Sequence, residues 1–417
     1  MEVIARHAKK LVSEVLNDTP IAIIQGARQV GKSTLAQEVL RDRAGRYVSL
    51  DDPIYRAAAA ADPISFVEQS REGCLCIDEV QRMPALVLAI KSSVDRNRSP
   101  GRFLLTGSAN LLRMPLTGDS LAGRAETIHL LGLSQGERNG QIEHFIDRAF
   151  DGDSFLEGSS SLCRTDYLDL VCRGGYPEVT ARVTPRRRAA WFRNYLERIT
   201  SIDAAMVAHL QRVDLLPRLV HLFATHSASI VSKATIAREV GLPETTLPAY
   251  LDLLETLYLI HRIPAWSNSL SGRVTKAPKY FLADSGLAAS LLNVSASSLD
   301  IVVNPDLAGP LIETFVMSEL REQCAHSDVT PQFFHWRDRT GAEVDIVLEA
   351  GDGKVVALEI KASSTVGKSD FKWLSVLRDK LGDRFVGGFV LYTGTEVIPW
   401  GDRLRAMPIS SIWERST

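Results

Sequence analysis

The sequence is poor in cysteine, in net charge and in long apolar runs. Its five cysteines (Cys74, Cys76, Cys163, Cys172 and Cys324) are odd in number and scattered over 417 residues. That excludes a disulfide scaffold, offers no zinc framework and suits a reducing compartment. Lys and Arg nearly balance Asp and Glu for a formal net charge of −2, so no overall positive field gathers nucleic acid or an anionic membrane from a distance. Any contact with DNA must be local. No stretch approaches the roughly 20 apolar residues that span a bilayer, and the opening MEVIARHAKKLVSEVL reads as an amphipathic helix in place of a signal peptide. These absences point to a cytoplasmic protein without a membrane partner. Internal repeats are lacking too.

What is present is an ordinary globular balance, 45% apolar and 24% charged residues, on a chain long enough for several cores. Between Pro20 and Gly132 the runs IAIIQ, STLAQEVL, RYVSLD, CLCIDE, ALVLAIKSSVD and RFLLTGS alternate strand-like and helix-like patterns. Such alternation with buried-type strands implies a parallel sheet covered by helices on both faces. The polar, Ser-rich DGDSFLEGSSS from Asp151 to Ser161 reads as a flexible insertion, and a mostly helical stretch follows. From Thr235, TIAREVGLPETTLPAYLDLLETLYLIHRI gives a helix, a turn at Gly241 and a second helix, with IHRIPAW as a wing. Beyond Lys276 come a helix over Gly309 to Leu320 and the strands QFFHWR, AEVDIVLE, KVVALEIK and FVGGFVLYT. The expected organisation is therefore an α/β P-loop NTPase core at 1–140, an insertion and helical linker at 141–225, a winged-helix unit at 226–275 and a second α/β unit at 276–417.

GARQVGKS (Gly26, Ala27, Arg28, Gln29, Val30, Gly31, Lys32 and Ser33) fits G-x-x-x-x-G-K-[ST] and lies between a strand-like and a helix-like run. Backbone N–H groups of such a loop and its helix point at phosphates, Lys32 neutralises the β and γ oxygens, and Ser33 takes a Mg²⁺ position. With Thr34 these form the expected cofactor-binding set for ATP. A carboxylate should close the site from a neighbouring buried strand, and CLCIDE supplies Asp78 for Mg²⁺ and Glu79 to polarise the attacking water. RFLLTGSAN ends in Thr106 and Ser108, placed to hydrogen-bond the γ-phosphate or that water. LAGRAETIHL then puts Arg124 where a guanidinium serves a nucleotide in a neighbouring subunit or in its own.

In this order, the P-loop, the CLCIDE strand, LTGS, LAGR, RGGYPE (Arg173 to Glu178), the helix-turn-helix and KYFLADSG (Lys279 to Gly286) make the whole chain resemble a known ATPase family. These are bacterial and archaeal AAA+-like ATPases carrying a C-terminal domain of unknown function with a restriction-endonuclease-like pattern. The resemblance implies a Mg²⁺-dependent ATPase, a ring or dimer of identical subunits, and a DNA or protein partner. It also implies that the Gly-x-Pro turn, here Gly175 and Pro177, packs near the nucleotide base.

The helix-turn-helix lacks what base reading needs. Leu242 to Ile260 holds no Arg or Lys and carries Glu244, Asp252 and Glu255, so a packing or regulatory role is favoured over DNA recognition. Thr245, Thr246 and Tyr250 are its remaining candidates for backbone contact, and RVTPRRRAAWFRNYLER (Arg182 to Arg198) reads as a solvated basic helix face, with DNA or a partner subunit as the sharper alternative. In the last unit, Asp345 and the Glu359-x-Lys361 triplet fit a PD-(D/E)xK arrangement with Val344 in place of the Pro. Glu359 and Lys361 share one strand face, a hairpin through AGDGK brings Asp345 beside them, and Glu313 is favoured over Glu319 to complete a metal site. Two readings result: an ATP-driven switch or remodeler, and an ATP-regulated metal-dependent nuclease.

Overall fold

The computed structural model describes residues 3–70, 73–108, 121–152, 159–204, 212–267, 269, 273, 276–300, 305–338 and 340–414. Most of the expected flexible insertion, residues 153–158, lies outside them.

Five short strands open the fold: β1 (Ile21–Gln25), β2 (Gly45–Ser49), β3 (Cys74–Asp78), β4 (Phe103–Gly107) and β5 (Ala125–His129). They form one parallel sheet in the order β2-β3-β4-β1-β5. β1, β3 and β4 are buried along their whole length, and the two-residue period divides their side chains between two cores. Ala22, Ile24, Cys74, Cys76 and Leu104 face one core. Ile21, Ile23, Leu75, Ile77, Phe103 and Leu105 face the other. The order corrects one expectation: β4 stands between the P-loop strand and the strand that carries Asp78. An apolar run fits beside any other apolar run, so the strand pattern does not encode which pair is adjacent.

The middle of the chain runs helix Leu216–Thr225, β6 (Ser229–Ile230), helix Lys233–Val240, helix Leu247–Thr256, β7 (Ile260–Ile263) and β8 (Lys279–Leu282). β8 lies past the expected boundary at 275 yet pairs antiparallel with both β6 and β7. The turn between the two helices uses Gly241 at φ 81°, a left-handed conformation that suits glycine. Tyr250 is buried with Leu247, Leu251 and Leu254 in the core, so it is removed from the residues able to touch a nucleic acid backbone. On helix Pro185–Arg198, Arg186, Arg187, Arg193 and Arg198 are exposed while Arg188 turns in toward Asp169.

The last unit is a mixed sheet of β9 (Gln332–Arg337), β10 (Glu343–Glu349), β11 (Val355–Lys361), β12 (Phe385–Tyr392), β13 (Ile398–Pro399) and β14 (Leu404–Pro408), ordered β13-β14-β12-β11-β10-β9. β10 and β11 form the hairpin read from AGDGK, closed where Gly353 N donates to Ala350 O. Helix Pro305–Gln323 packs with Ile346, Leu348, Val356 and Leu358. Helix Lys372–Leu381 packs with Val347 and Ala357 on the opposite face. The first of these clusters is continuous from the P-loop helix to this sheet, so the units share one core. Among the described residues no helix is long and apolar enough to cross a membrane.

Candidate nucleotide site

β1 delivers the chain to a loop that helix Lys32–Arg41 closes at the C-terminal edge of the parallel sheet. A Cβ on Gly26 would stand 2.0 Å from Leu130 O, so only glycine lets the loop leave the strand here. Gln29 at φ 64° and Gly31 at φ 102° then bend it back on itself. Lys32 is buried and donates to Gly26 O at 3.1 Å and Ala27 O at 2.7 Å. Burial pulls its pKa down to about 8, against the pull of Glu79 and Asp78. No described carboxylate forms an ion pair with it. A buried ammonium that has only carbonyl partners, at the start of a helix, fits an anionic phosphate. Arg28 is held away from the loop interior by Asp203 at 2.7 Å.

Asp78 is the centre of a hydroxyl ring. Its Oδ1 accepts from Ser33 Oγ at 2.7 Å and Thr106 Oγ1 at 2.5 Å, and its Oδ2 from Tyr47 Oη at 2.8 Å and Ser49 Oγ at 3.1 Å. A carboxylate beside a serine hydroxyl is the hard oxygen set that Mg²⁺ takes together with phosphate oxygens. Glu79 sits in the left-handed region at φ 57°, which turns its side chain out of the strand toward Ser108 Oγ at 3.0 Å and Gln81 Nε2. Thr106 is fully buried and also accepts from Glu79 N at 3.1 Å, so it holds the Asp78 carboxylate and the Glu79 backbone from beneath. Only Ser108 of the expected pair reaches the Glu79 side chain. Tyr47, Ser49 and Gln81 join the site without belonging to a motif; the polar end of RYVSLD, parallel to CLCIDE, was the one available sign of the first two.

Arg124 lies elsewhere. It precedes Ala125, which pairs with Ile21 at the N-terminal edge of the sheet, so roughly 13 Å of strand separate it from the loop edge. Its guanidinium is bound to Asp95 at 2.7 Å and Ala122 O at 3.1 Å. This placement sets it at the edge of the sheet opposite its own P-loop.

Behind the loop, RGGYPE and KYFLADSG meet. Asp284 Oδ2 accepts from Gly175 N at 2.6 Å while its Oδ1 caps helix Ser285–Leu291 through Leu287 N at 2.7 Å. A Cβ on Gly174 would approach Asp284 Oδ1 to 2.4 Å, and one on Gly286 would approach Gly174 N to 2.7 Å. Tyr176 lines a cavity of about 310 Å³ with Ala27 and Val30, while Pro177 is not among its lining residues and starts helix Pro177–Thr180. Arg6 completes the junction, donating to Val30 O of the P-loop at 2.7 Å, Leu131 O at 3.1 Å, Gly132 O at 2.9 Å and Glu137 Oε2 at 2.9 Å. It stands 3.8 Å from Glu322 on helix Pro305–Gln323. Nothing in MEVIARHAKK marks Arg6 beyond one charge in an amphipathic pattern. Glu319 of the same helix accepts from Gln135 N at 2.9 Å, and burial lifts its pKa to about 8. It serves this junction and not the cluster around Asp345.

That cluster gathers Glu313, Asp345 and Glu359 with a cation absent from the expected set. Lys279 Nζ lies 2.6 Å from Glu313 Oε1 and 3.3 Å from Asp345 Oδ1. Asp345 sits where a bulge between Val344 and Val347 interrupts the pairing of β10 with β9, and its Oδ2 accepts from Ile360 N at 2.8 Å. Lys361 pairs with Glu359 at 2.8 Å on their shared strand. Burial, then the Asp345 charge, lift the Glu359 pKa to about 8 against the pull of Lys361.

Residues 18–139 match a family model described as an AAA domain. The N-terminal unit is thus similar to AAA domains. Residues 164–298 and 308–412 match models of domains of unknown function, DUF8612 and DUF4143. The chain is similar to the uncharacterized protein Rv2008c of Mycobacterium tuberculosis, 28% identical over 408 residues, which is 98% of this chain and 84% of that protein. The uncharacterized protein Mb2031c of Mycobacterium bovis matches to the same extent. Among solved structures, a Walker-type ATPase of Pyrococcus abyssi is 16% identical, covers 70% of this chain and 96% of its own, and has a TM-score of 0.41. AMPPCP-bound DnaA of Aquifex aeolicus is 14% identical, covers 60% and 85%, and has a TM-score of 0.29. The similarity of residues 18–139 to AAA domains agrees with a parallel sheet carrying a P-loop.

Proposed function

We propose that the protein is a Mg²⁺-dependent ATP-hydrolysing switch whose AAA domain drives the C-terminal unit against a DNA or protein partner. The observation that carries this reading is the buried Lys32 ammonium with only carbonyl partners, beside the Ser33–Asp78 pair. The loop amides and Lys32 hold the phosphates, Ser33 and Asp78 orient the Mg²⁺ ion, and Glu79 accepts the proton of the attacking water. Bound Mg²⁺ supplies neutralisation of phosphate charge. Ser108 and Gln81 fix the direction of the Glu79 carboxylate.

The helix, strand, helix, helix, strand, strand order with its β6-β8-β7 sheet supports reading residues 216–282 as a winged helix, and the burial of Tyr250 and Leu254 on its second helix supports a packing role. The junction of Arg6, Glu322 and Asp284 supports transmission, because it ties the P-loop backbone to the helix that enters the C-terminal unit. The nuclease alternative has no comparable support, since Lys279 stands among the carboxylates that would hold its metal.

Purified protein is expected to hydrolyse ATP with Mg²⁺ and to lose at least ~100-fold of that rate in Lys32→Ala, within the range that removal of one preorganised charge costs. A variant retaining a tenth or more of the wild-type rate would sink the proposal. Arg124→Ala is expected to lower a rate that rises with protein concentration, and mixing it with Lys32→Ala should restore part of it. Turnover independent of concentration in the dilute range would remove the inter-subunit role.

A further inference from the structure

The carboxylates Glu313, Glu343 and Asp345 all lie within ion-pair distance of one buried ammonium, that of Lys279. We infer that Lys279 is the resident cation of this cluster, taking the place of a metal and fastening the β6-β8-β7 sheet to the C-terminal sheet. Its ammonium is 2.6 Å from Glu313, 3.3 Å from Asp345 and 3.5 Å from Glu343, on a side chain only 1% exposed. These distances place one positive charge in contact with a carboxylate from the long helix and with two from β10. A divalent ion seated on the same oxygens would stand against that ammonium with no water between them, and like charges at contact in a poorly solvated site repel strongly.

The backbone explains why the lysine cannot step aside. Lys279 opens β8, pairs with Ile230 on one flank and Ile263 on the other, and lies at the foot of KYFLADSG, whose Asp284 is fixed to Gly175. A swing of its side chain toward solvent would leave Glu313, which is buried and among the described residues has no other cation, without a partner. Of the other described cations near the cluster, Lys361 pairs with Glu359, and Arg337 stands 3.9 Å from Glu343. Removing the Lys279 charge therefore leaves a cluster rich in carboxylate oxygen and short of cation, which is what Mn²⁺ or Mg²⁺ takes. The same sequence feature that reads as a metal site, acidic residues on adjoining strands, is here completed by a residue from a different sheet.

The test is Mn²⁺ titration by calorimetry on the full chain without nucleotide, comparing wild type, Asp345→Asn, Lys279→Met and Lys279→Met with Asp345→Asn. Wild type and Asp345→Asn should give the same isotherm, whereas Lys279→Met should gain one Mn²⁺ per chain, bound at least ~10-fold more tightly than by wild type, and lose it when Asp345→Asn is added. Should Lys279→Met fail to fold, Lys279→Met with Glu313→Gln removes a buried carboxylate together with the cation and should show the same gain. Mn²⁺ binding by wild type that Asp345→Asn abolishes would overturn the inference. So would a folded Lys279 variant that gains no Asp345-dependent ion, or cleavage of DNA by wild type with Mn²⁺ that disappears in Asp345→Asn.

Discussion

Glu79→Gln should bind ATP and scarcely turn it over. The substitution keeps the size of the side chain and its contacts with Ser108 and Gln81, and it leaves Lys32, Ser33 and Asp78 untouched, so the ATP concentration giving half-maximal binding should move less than about threefold. Its effect falls on proton acceptance from the attacking water, a contribution of about 10²–10⁴-fold for a positioned general base, and kcat is expected to drop by about 10²–10³-fold. Ser108→Ala, which loosens the carboxylate without removing it, should cost less. Comparison of binding with single-turnover rates checks the division. A Glu79→Gln variant with weakened binding and a nearly normal turnover rate would show that Glu79 holds the nucleotide and that the base lies elsewhere.

Arg6→Ala is expected to be the most destabilising single change on the surface between the units. The guanidinium is 6% exposed and spreads its donors over Val30 O, Leu131 O, Gly132 O and Glu137. Its removal leaves those carbonyls without a donor and Glu137 and Glu322 without their cation, in a site where burial already drives the Glu322 pKa well above the usual carboxylate range against the pull of Arg6. Breaking a buried pair by removing one partner costs about 3–5 kcal/mol, and chemical denaturation should show the first transition displaced by an amount of that order. Because Val30 belongs to the P-loop, apparent ATP affinity should weaken together with stability. Arg6→Lys keeps one charge and loses the fork, so it should fall between. Unchanged ATP affinity in a folded Arg6→Ala protein would separate the junction from the nucleotide site.

The two arginines show where pattern stops being informative. Arg124 belongs to a recognisable segment, but which edge of the sheet it stands on depends on how β5 pairs with β1. Arg6 belongs to no segment that could be recognised, since its partners come from positions up to 316 residues away in the chain, the separation of Arg6 from Glu322. Thr106 is intermediate. Its strand-end position was legible, but its orientation beneath Asp78 depends on β4 lying between β1 and β3.

By itself the sequence determined the chemistry of the loop, because G-x-x-x-x-G-K-[ST] is a local backbone device whose glycines, lysine and hydroxyl act within a single turn of chain. It determined the period-2 strands and the β10–β11 hairpin for the same reason, since strand alternation and turn composition are properties of neighbours. Which strand lies beside which, which end of the sheet a residue faces, and whether a carboxylate cluster meets an ion or a lysine were decided only by the tertiary structure. Those outcomes depend on contacts between segments far apart in the chain. Lys279 is the plainest case: on β8 it is one more charge at a strand end, and it becomes the cation of the C-terminal cluster only when packing brings Glu313 and Asp345 to it.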